Sequence, residues 1–242
     1  MRVASYDQII DSWTVNLLRG ECETMERMNC YENYWLGLYD QPRNSVEQYI
    51  LDSFDFYLAD DYPDAVGFEW WFHHFVEDDK MLAFHVDCDE HIRYETRKIV
   101  TPLLSTVTYL THHLSPTVVL NVSQNGEMET QLAPTIPSEV VYSVPGEGKF
   151  LTFNPNYMHG VTNGSAGRWT LMYNVWNYIP EKLPHVPFTS SPTASHFYKC
   201  EGLQPVTYLG PTKCCKINYY DVQCDIRFPA KTDLHDTWLV SQ

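Results

Sequence analysis

What most restricts the fold of this chain is a change of texture after Pro63. From there to Tyr178, short apolar and aromatic runs alternate with turn residues: "GFEWWFHHF", "MLAFHVD", "LLSTVTYL", "TVVLNV", "METQLA", "SEVVYSV", "KFLTFNP" and "RWTLMYNVWNY". The runs are rich in Val, Thr, Tyr, Phe and Trp and are punctuated by "EDDK", "QNGE" and "PGEG". That pattern predicts about eight strands in roughly 115 residues, a sandwich or small barrel built on Greek-key lines. The first two runs, separated by "EDDK", read as a hairpin.

Ahead of this region the periodicity is helical. A first helix is predicted from a cap at Ser5, with Ile9, Ile10, Trp13, Leu17 and Leu18 on one face and a stop at Gly20. A second starts at Asn44, where Glu47 is placed for a capping box. Val46, Tyr49, Ile50, Phe54, Tyr57 and Leu58 form its stripe, and it ends before "DDYP". After Pro180 the chain becomes proline-rich and irregular. The expected organisation is one structural domain: 1–65 as helical support, 66–180 as the β core, and 181–242 as a wrapping tail or lid.

Charge narrows the partners. The formal net charge is −15, from 16 basic and 31 acidic residues. Phosphate backbones are bound by clustered Lys and Arg, so no nucleic-acid partner is expected. Docking on an anionic membrane surface is disfavoured for the same reason, and no apolar run is long enough to span a bilayer. Seven cysteines, an odd number, fit free thiols in a reducing compartment better than a disulfide framework. The N-terminus lacks a secretory pattern, so the expected location is cytoplasmic; a removed transit peptide would leave no trace.

The chemistry-bearing motif is "FHVD". A lone H-x-D is weak, because a chain with 10 His and 16 Asp yields such triplets by chance. Here it sits on a strand, where alternate residues share a face, so His85 and Asp87 can aim inward together. A second histidine, His159, follows the strand "KFLTFNP" after a short loop. Arg168 comes nine residues later at the start of the last apolar strand, with Thr170 facing the same way. Two His and one carboxylate on one face of a metal is the arrangement of non-haem Fe(II) oxygenases. A buried arginine, costly without an anion, offers a planar fork for a dicarboxylate.

With these residues in hand, the segment from about Gly67 to Tyr178 resembles the core of the Fe(II)/2-oxoglutarate-dependent oxygenases, in particular the prolyl-hydroxylase-like branch. "FHVD", "STVTYL", "FNPNYMHGV" and "GRWTLMYNVW" fall in the family's order. The resemblance implies a mainly β fold with flanking helices around a double-stranded β-helix, or jelly roll. It implies iron ligation by His85, Asp87 and His159, and a salt bridge from Arg168 to the far carboxylate of 2-oxoglutarate. Tyr109 and Ser105, which share a strand face, match the family's remaining contacts to that cosubstrate, beside Thr170. Thr111 departs from the Asn of many relatives, and "LSPTVVL" stands where many carry a Gly-Gly turn. The implied reaction consumes O₂ and 2-oxoglutarate, gives succinate and CO₂, and oxidises an unactivated C–H bond by hydroxylation, desaturation or cyclisation. With Asp87 present, halogenation is not expected.

Residues of the first and last strands are the substrate candidates: Glu69, Trp71 and His73 on one face, Asn174 and Trp176 on the face of Arg168. Trp71 and Trp176 suit a core better than a pocket, whereas an unpaired buried Glu69 is costly and calls for a structural partner such as a nearby Arg or for a substrate contact. Asp89 and Glu90 suit either a supporting role or a solvated turn, and "HIRYETRKIV" reads as a basic surface loop. His73-His74 and His112-His113 point apart on strands, and the C-terminal cysteines lack C-x-x-C spacing. Three functions follow. The first is an oxygenase of a small, amino-acid-derived metabolite, as in secondary-metabolite tailoring. The second is a hydroxylase of prolyl or asparaginyl side chains in a peptide or protein. The third is a jelly-roll binding module without turnover.

Overall fold

The computed structural model describes residues 1–77, 82–124, 132–162, 166–230 and 236–242. The turns expected at "EDDK" and "QNGE", and most of "METQLA", lie largely outside them. The chain begins with β1 (Val3–Tyr6), α1 (Ser12–Arg27), β2 (Tyr34–Gly37) and α2 (Ser45–Tyr57). Then come β3 (Gly67–His74), β4 (Leu82–His85), α3 (Glu90–Thr96) and β5 (Leu104–Tyr109). β6 (Thr117–Gln124), β7 (Leu132–Ala133), β8 (Glu139–Ser143), β9 (Phe150–Phe153), β10 (Tyr157–Val161) and β11 (Trp169–Trp176) complete the core. The tail adds β12 (Val206–Thr207), β13 (Thr212–Tyr219), β14 (Val222–Pro229) and β15 (Thr237–Ser241).

One sheet has the order β1-β9-β5-β11-β3-β2, and the facing one β12-β15-β8-β6-β10-β4 with β7 paired to β6. The chain passes repeatedly from one sheet to the other: β3, β5, β9 and β11 lie in the first, β4, β6, β8 and β10 in the second. This is the jelly-roll arrangement the resemblance implied, within the sandwich or small barrel expected from the strand pattern. It corrects one local expectation. β3 and β4 are not a hairpin, because β3 pairs with β2 and β11 whereas β4 pairs with β10. Gly148 makes one of the crossings tight: its φ is +76°, and a Cβ there would meet the Ile10 carbonyl at 2.7 Å.

Period two assigns the faces. Phe68, Trp70, Phe72, Leu171, Tyr173 and Val175 pack outward against Val15, Leu18, Val46, Tyr49, Ile50 and Phe54 of the helices. Between the sheets, Val107, Tyr109, Val119, Val141, Leu151, Phe153 and Met172 form a smaller core. The outer face of the second sheet carries Val118, Leu120, Val140 and Tyr142. The β13–β14 hairpin covers it with Ile217, Tyr219, Ile226 and Phe228. The tail is therefore irregular only to about residue 205, and beyond that it wraps the second sheet as strands.

The helices differ from expectation at one end. α2 begins at Asn44, whose side chain accepts from Glu47 N, while the buried Glu47 carboxylate accepts from Arg43 N. α1, in contrast, starts at the cap Asp11 and runs through Gly20 to Arg27. Ser5 is in strand β1, which pairs with β9, and Trp13 is 59% exposed. Packing of Val15, Leu18, Cys22 and Met25 outweighs the roughly 1 kcal/mol that a helical glycine costs. "HIRYETRKIV" is not a loop at its start: Asp89 caps α3 by accepting from Ile92 N. All seven cysteines are free thiols, and among the described residues no helix is long and apolar enough to cross a membrane.

Candidate functional site

The site is built on three adjacent strands, β5, β11 and β3, whose registers align inward residues in rows. Tyr109, Thr170 and His73 form one row, Val107, Met172 and Trp71 the next, and Ser105, Asn174 and Glu69 the third. Strand pleat alone puts these alternate residues on one face. Opposite them, in the second sheet, β4 lies beside β10 with His85 directly paired to His159. Gly160 permits that approach, since a Cβ there would meet the Leu82 carbonyl at 2.7 Å.

His85, Asp87 and His159 converge so that one ligand atom from each lies within 4.8 Å of the others. Both Nε2 atoms stand 3.5 Å from Asp87 Oδ1. Each histidine's Nδ1 faces a backbone carbonyl two residues earlier: Ala83 O at 2.8 Å for His85, Tyr157 O at 3.0 Å for His159. A carbonyl only accepts, so Nδ1 carries the proton and the Nε2 lone pair points at the shared centre. Asp87 Oδ2 accepts from the Ser105 hydroxyl at 2.5 Å, which leaves Oδ1 for the centre. Burial raises the energy of the Asp87 carboxylate, but without a metal the His159 and His85 rings, protonated at Nε2 as well, outweigh it and hold its pKa far below the usual range. Asp87 and His159 are almost fully buried, whereas His85 keeps 38% of its side chain exposed at the mouth. Two neutral imidazoles, one carboxylate and an open side are a donor set that fits Fe(II). Replacing Ser105 with Ala should weaken divalent-metal binding about 10- to 100-fold, the usual cost of losing a group that orients a ligand; titration with Mn(II) measures it.

Two cavities meet at this cluster and share Trp71, His73, His85 and Asp87 as walls. The first runs inward to Arg168, Thr170 and Thr117. Arg168 is 2% exposed, and no carboxylate among the described residues pairs with it. Its Nη2 donates to Thr117 Oγ1 at 2.8 Å and Nη1 to Thr170 Oγ1 at 3.5 Å, while Nε has no partner. The guanidinium lies over the rings of Phe75 and Tyr109, at 5.7 and 5.5 Å. Tyr109 donates to Thr117 Oγ1 at 2.8 Å, and burial raises its pKa. A buried guanidinium with an orphan N–H and a cavity beside it is a receptor for an anion.

The second cavity opens on the other side and is lined by Asn33, Glu69, Cys88, Glu90 and Asn174. Glu69 is 6% exposed; Asn33 Nδ2 donates to its Oε1 at 2.7 Å and Trp176 Nε1 to its Oε2 at 3.2 Å. Burial is the main cause that pushes its pKa up to about 7, with a smaller push from Asp87. A carboxyl whose folded pKa exceeds its unfolded one binds a proton more tightly when folded. Its stabilising contribution is full below about pH 4.5 and is lost as pH rises through 7, on the order of 3 kcal/mol. The difference in melting temperature between Glu69→Gln and the parent protein should therefore shift in favour of the variant across that window. His73 is pushed the opposite way, to about 4, by burial and by Arg168, and is a neutral wall of both cavities.

The residues singled out for metal, cosubstrate and substrate thus fall in one region, but two have roles other than those expected. Ser105 donates to Asp87 instead of facing Arg168, and Trp176 serves Glu69 from a fully buried position. Thr117, Phe75 and Asn33 were missed. Thr117 opens the "TVVLNV" run on its inward face, a signal the strand period carries; nothing in the sequence links Asn33 to Glu69.

No protein-family model matches the sequence, and no curated protein matches it significantly. Solved structures do. A prolyl-4-hydroxylase from Pseudomonas putida superposes with a TM-score of 0.51 at 16% identity, covering 73% of this chain and 88% of that one. EctD from S. alaskensis, in its apoform, gives 0.46 at 16% identity over 78% and 80% of the two chains. A viral collagen prolyl hydroxylase from Paramecium Bursaria Chlorella virus-1, in complex with 2-oxoglutarate, gives 0.45 at 11% identity over 72% and 94%. The chain therefore has the fold of the Pseudomonas putida prolyl-4-hydroxylase, a double-stranded β-helix, with a His-Asp-His cluster between its two sheets.

Proposed function

We propose that the protein is an Fe(II)/2-oxoglutarate-dependent oxygenase that oxidises an unactivated C–H bond of a small, amino-acid-derived metabolite. The observation that carries this reading is Arg168: a buried guanidinium with an unpartnered Nε, in a cavity whose other wall is the His85-Asp87-His159 cluster. One group calls for an anion and the other for a divalent metal, and they share one cavity.

His85, Asp87 and His159 would hold Fe(II), with Ser105 and the two backbone carbonyls keeping each ligand in its binding orientation. Arg168 and Thr170 would take the far carboxylate of 2-oxoglutarate, and Thr117 and Tyr109 would fix the guanidinium. When bound, iron and 2-oxoglutarate supply O₂ activation, with succinate and CO₂ as co-products. Val107, Phe153 and Met172 exclude water from the first cavity. Glu69, Trp71, His73 and Asn174 would position the substrate from the second, with Trp176 holding Glu69 from behind its wall.

The same fold in a prolyl-4-hydroxylase supports a peptide substrate as the second reading. The test begins anaerobically: Fe(II) and 2-oxoglutarate added together should give a visible charge-transfer band that Arg168→Ala and His159→Ala lack. The absence of a band in the parent protein would refute the proposal. Succinate formation on admitting O₂ separates an enzyme from a binding module.

A further inference from the structure

We infer that the substrate presents a protonated nitrogen, an ammonium or guanidinium, to Glu69 and Asn174; the inference rests on the oxygenase reading and names its substrate class. The second cavity offers acceptors and has little left to donate. The Asn33 amide and the Trp176 indole N–H are spent on Glu69, and the Asn174 amide is turned toward it as well. The carboxylate still retains accepting capacity, because it accepts at about four sites and these donors leave one over. Asn174 stands across the strand ladder from Glu69, is 2% exposed, and its Oδ1 has no hydrogen-bond partner. A buried carbonyl left alone costs about as much as a lost hydrogen bond, so a donor from the ligand is the natural complement.

Charge leads to the same class. Among the described residues no cationic side chain pairs with Glu69, whereas Glu90 at the cavity rim already accepts from Arg93 Nε at 2.8 Å. In a loaded site the charges of Fe(II), Asp87, 2-oxoglutarate and Arg168 cancel. Glu69, once ionised, is then the buried charge without a counterion, and an incoming cation both supplies it and favours the ionised form. A carboxylate or neutral ligand in the same place leaves it unmatched. Trp71 and His85 wall both cavities, so a molecule held by Glu69 has its neighbouring carbons beside the metal ligands.

The experiment uses full-length protein loaded anaerobically with Mn(II) and 2-oxoglutarate, and reads binding by calorimetry. The probes are L-lysine, L-ornithine, putrescine and agmatine, with fully N-acetylated lysine, ornithine and putrescine as amine-free controls. A blocked peptide with one lysine tells a protein side chain from a free metabolite; its binding supports the same amine chemistry. At least one basic probe should bind, with its acetylated form at least about tenfold weaker. Glu69→Gln should weaken that probe by at least about tenfold while 2-oxoglutarate affinity stays within about twofold. If Glu69→Gln no longer binds 2-oxoglutarate, Asn174→Leu and the parent's preference for amine over acetylated probe decide instead. The inference is overturned if the 2-oxoglutarate-bound parent takes no basic probe at millimolar concentration, if acetylated probes bind as well, or if a 2-oxoglutarate-competent Glu69→Gln keeps its amine affinity. Failure of the parent to bind 2-oxoglutarate at all is a different result, and it sinks the oxygenase reading itself.

Discussion

Replacing Arg168 with methionine should raise the melting temperature of the ligand-free protein and, at the same time, remove most of its affinity for 2-oxoglutarate. The two effects have one cause. The guanidinium is 2% exposed and meets two hydroxyls and two aromatic rings, but no carboxylate among the described residues. Burial holds its pKa down to about 10, so it remains charged at neutral pH. Replacing a buried charged group with an apolar one of similar volume is often stabilising, by about 1–4 kcal/mol, or several degrees for a chain of this size. Leaving the ligand's carboxylate without its partner costs about 3–5 kcal/mol, which is about two to four orders of magnitude in affinity. Scanning calorimetry of the ligand-free variant and a 2-oxoglutarate titration with Mn(II) give both numbers. A fall in melting temperature would make Arg168 a structural residue, contrary to the anion-receptor reading.

Asp87→Ala should have the largest effect on metal binding. The carboxylate is the single anionic donor of the cluster, and Oδ1 faces both imidazole Nε2 atoms at 3.5 Å. Its loss should exceed by at least about one further order of magnitude the 10- to 100-fold expected for Ser105→Ala, which disturbs only the orientation of Oδ2. The histidines should remain in place, because their Nδ1 atoms are anchored to Ala83 and Tyr157 carbonyls that the substitution does not touch. Mn(II) titration followed by electron paramagnetic resonance ranks the variants. Equal losses for Asp87→Ala and Ser105→Ala would mean that the metal sits elsewhere.

Much of the site was legible in the residues because strand period two is a local property. It placed Glu69, Trp71 and His73 on one face, and Thr170, Asn174 and Trp176 on another, before any pairing was known. The same local logic found α2, whose cap and stripe lie within one segment. It failed where the answer depended on which strands become neighbours. β3 and β4 read as a hairpin because they follow each other, yet each finds its partner in a different sheet. Ser5 reads as a helix cap because nothing nearby marks Val3–Tyr6 as the edge partner of β9, far along the chain.

The sequence by itself determined the fold class, the inward-facing residues and the donor types available for a metal and an anion, since these follow from side-chain chemistry and backbone period. Tertiary structure alone decided that His159 pairs with His85, that Ser105 serves Asp87, and that Asn33 and Trp176 both donate to Glu69. Those contacts join residues distant in the chain, and their geometry exists only once the two sheets have closed on each other.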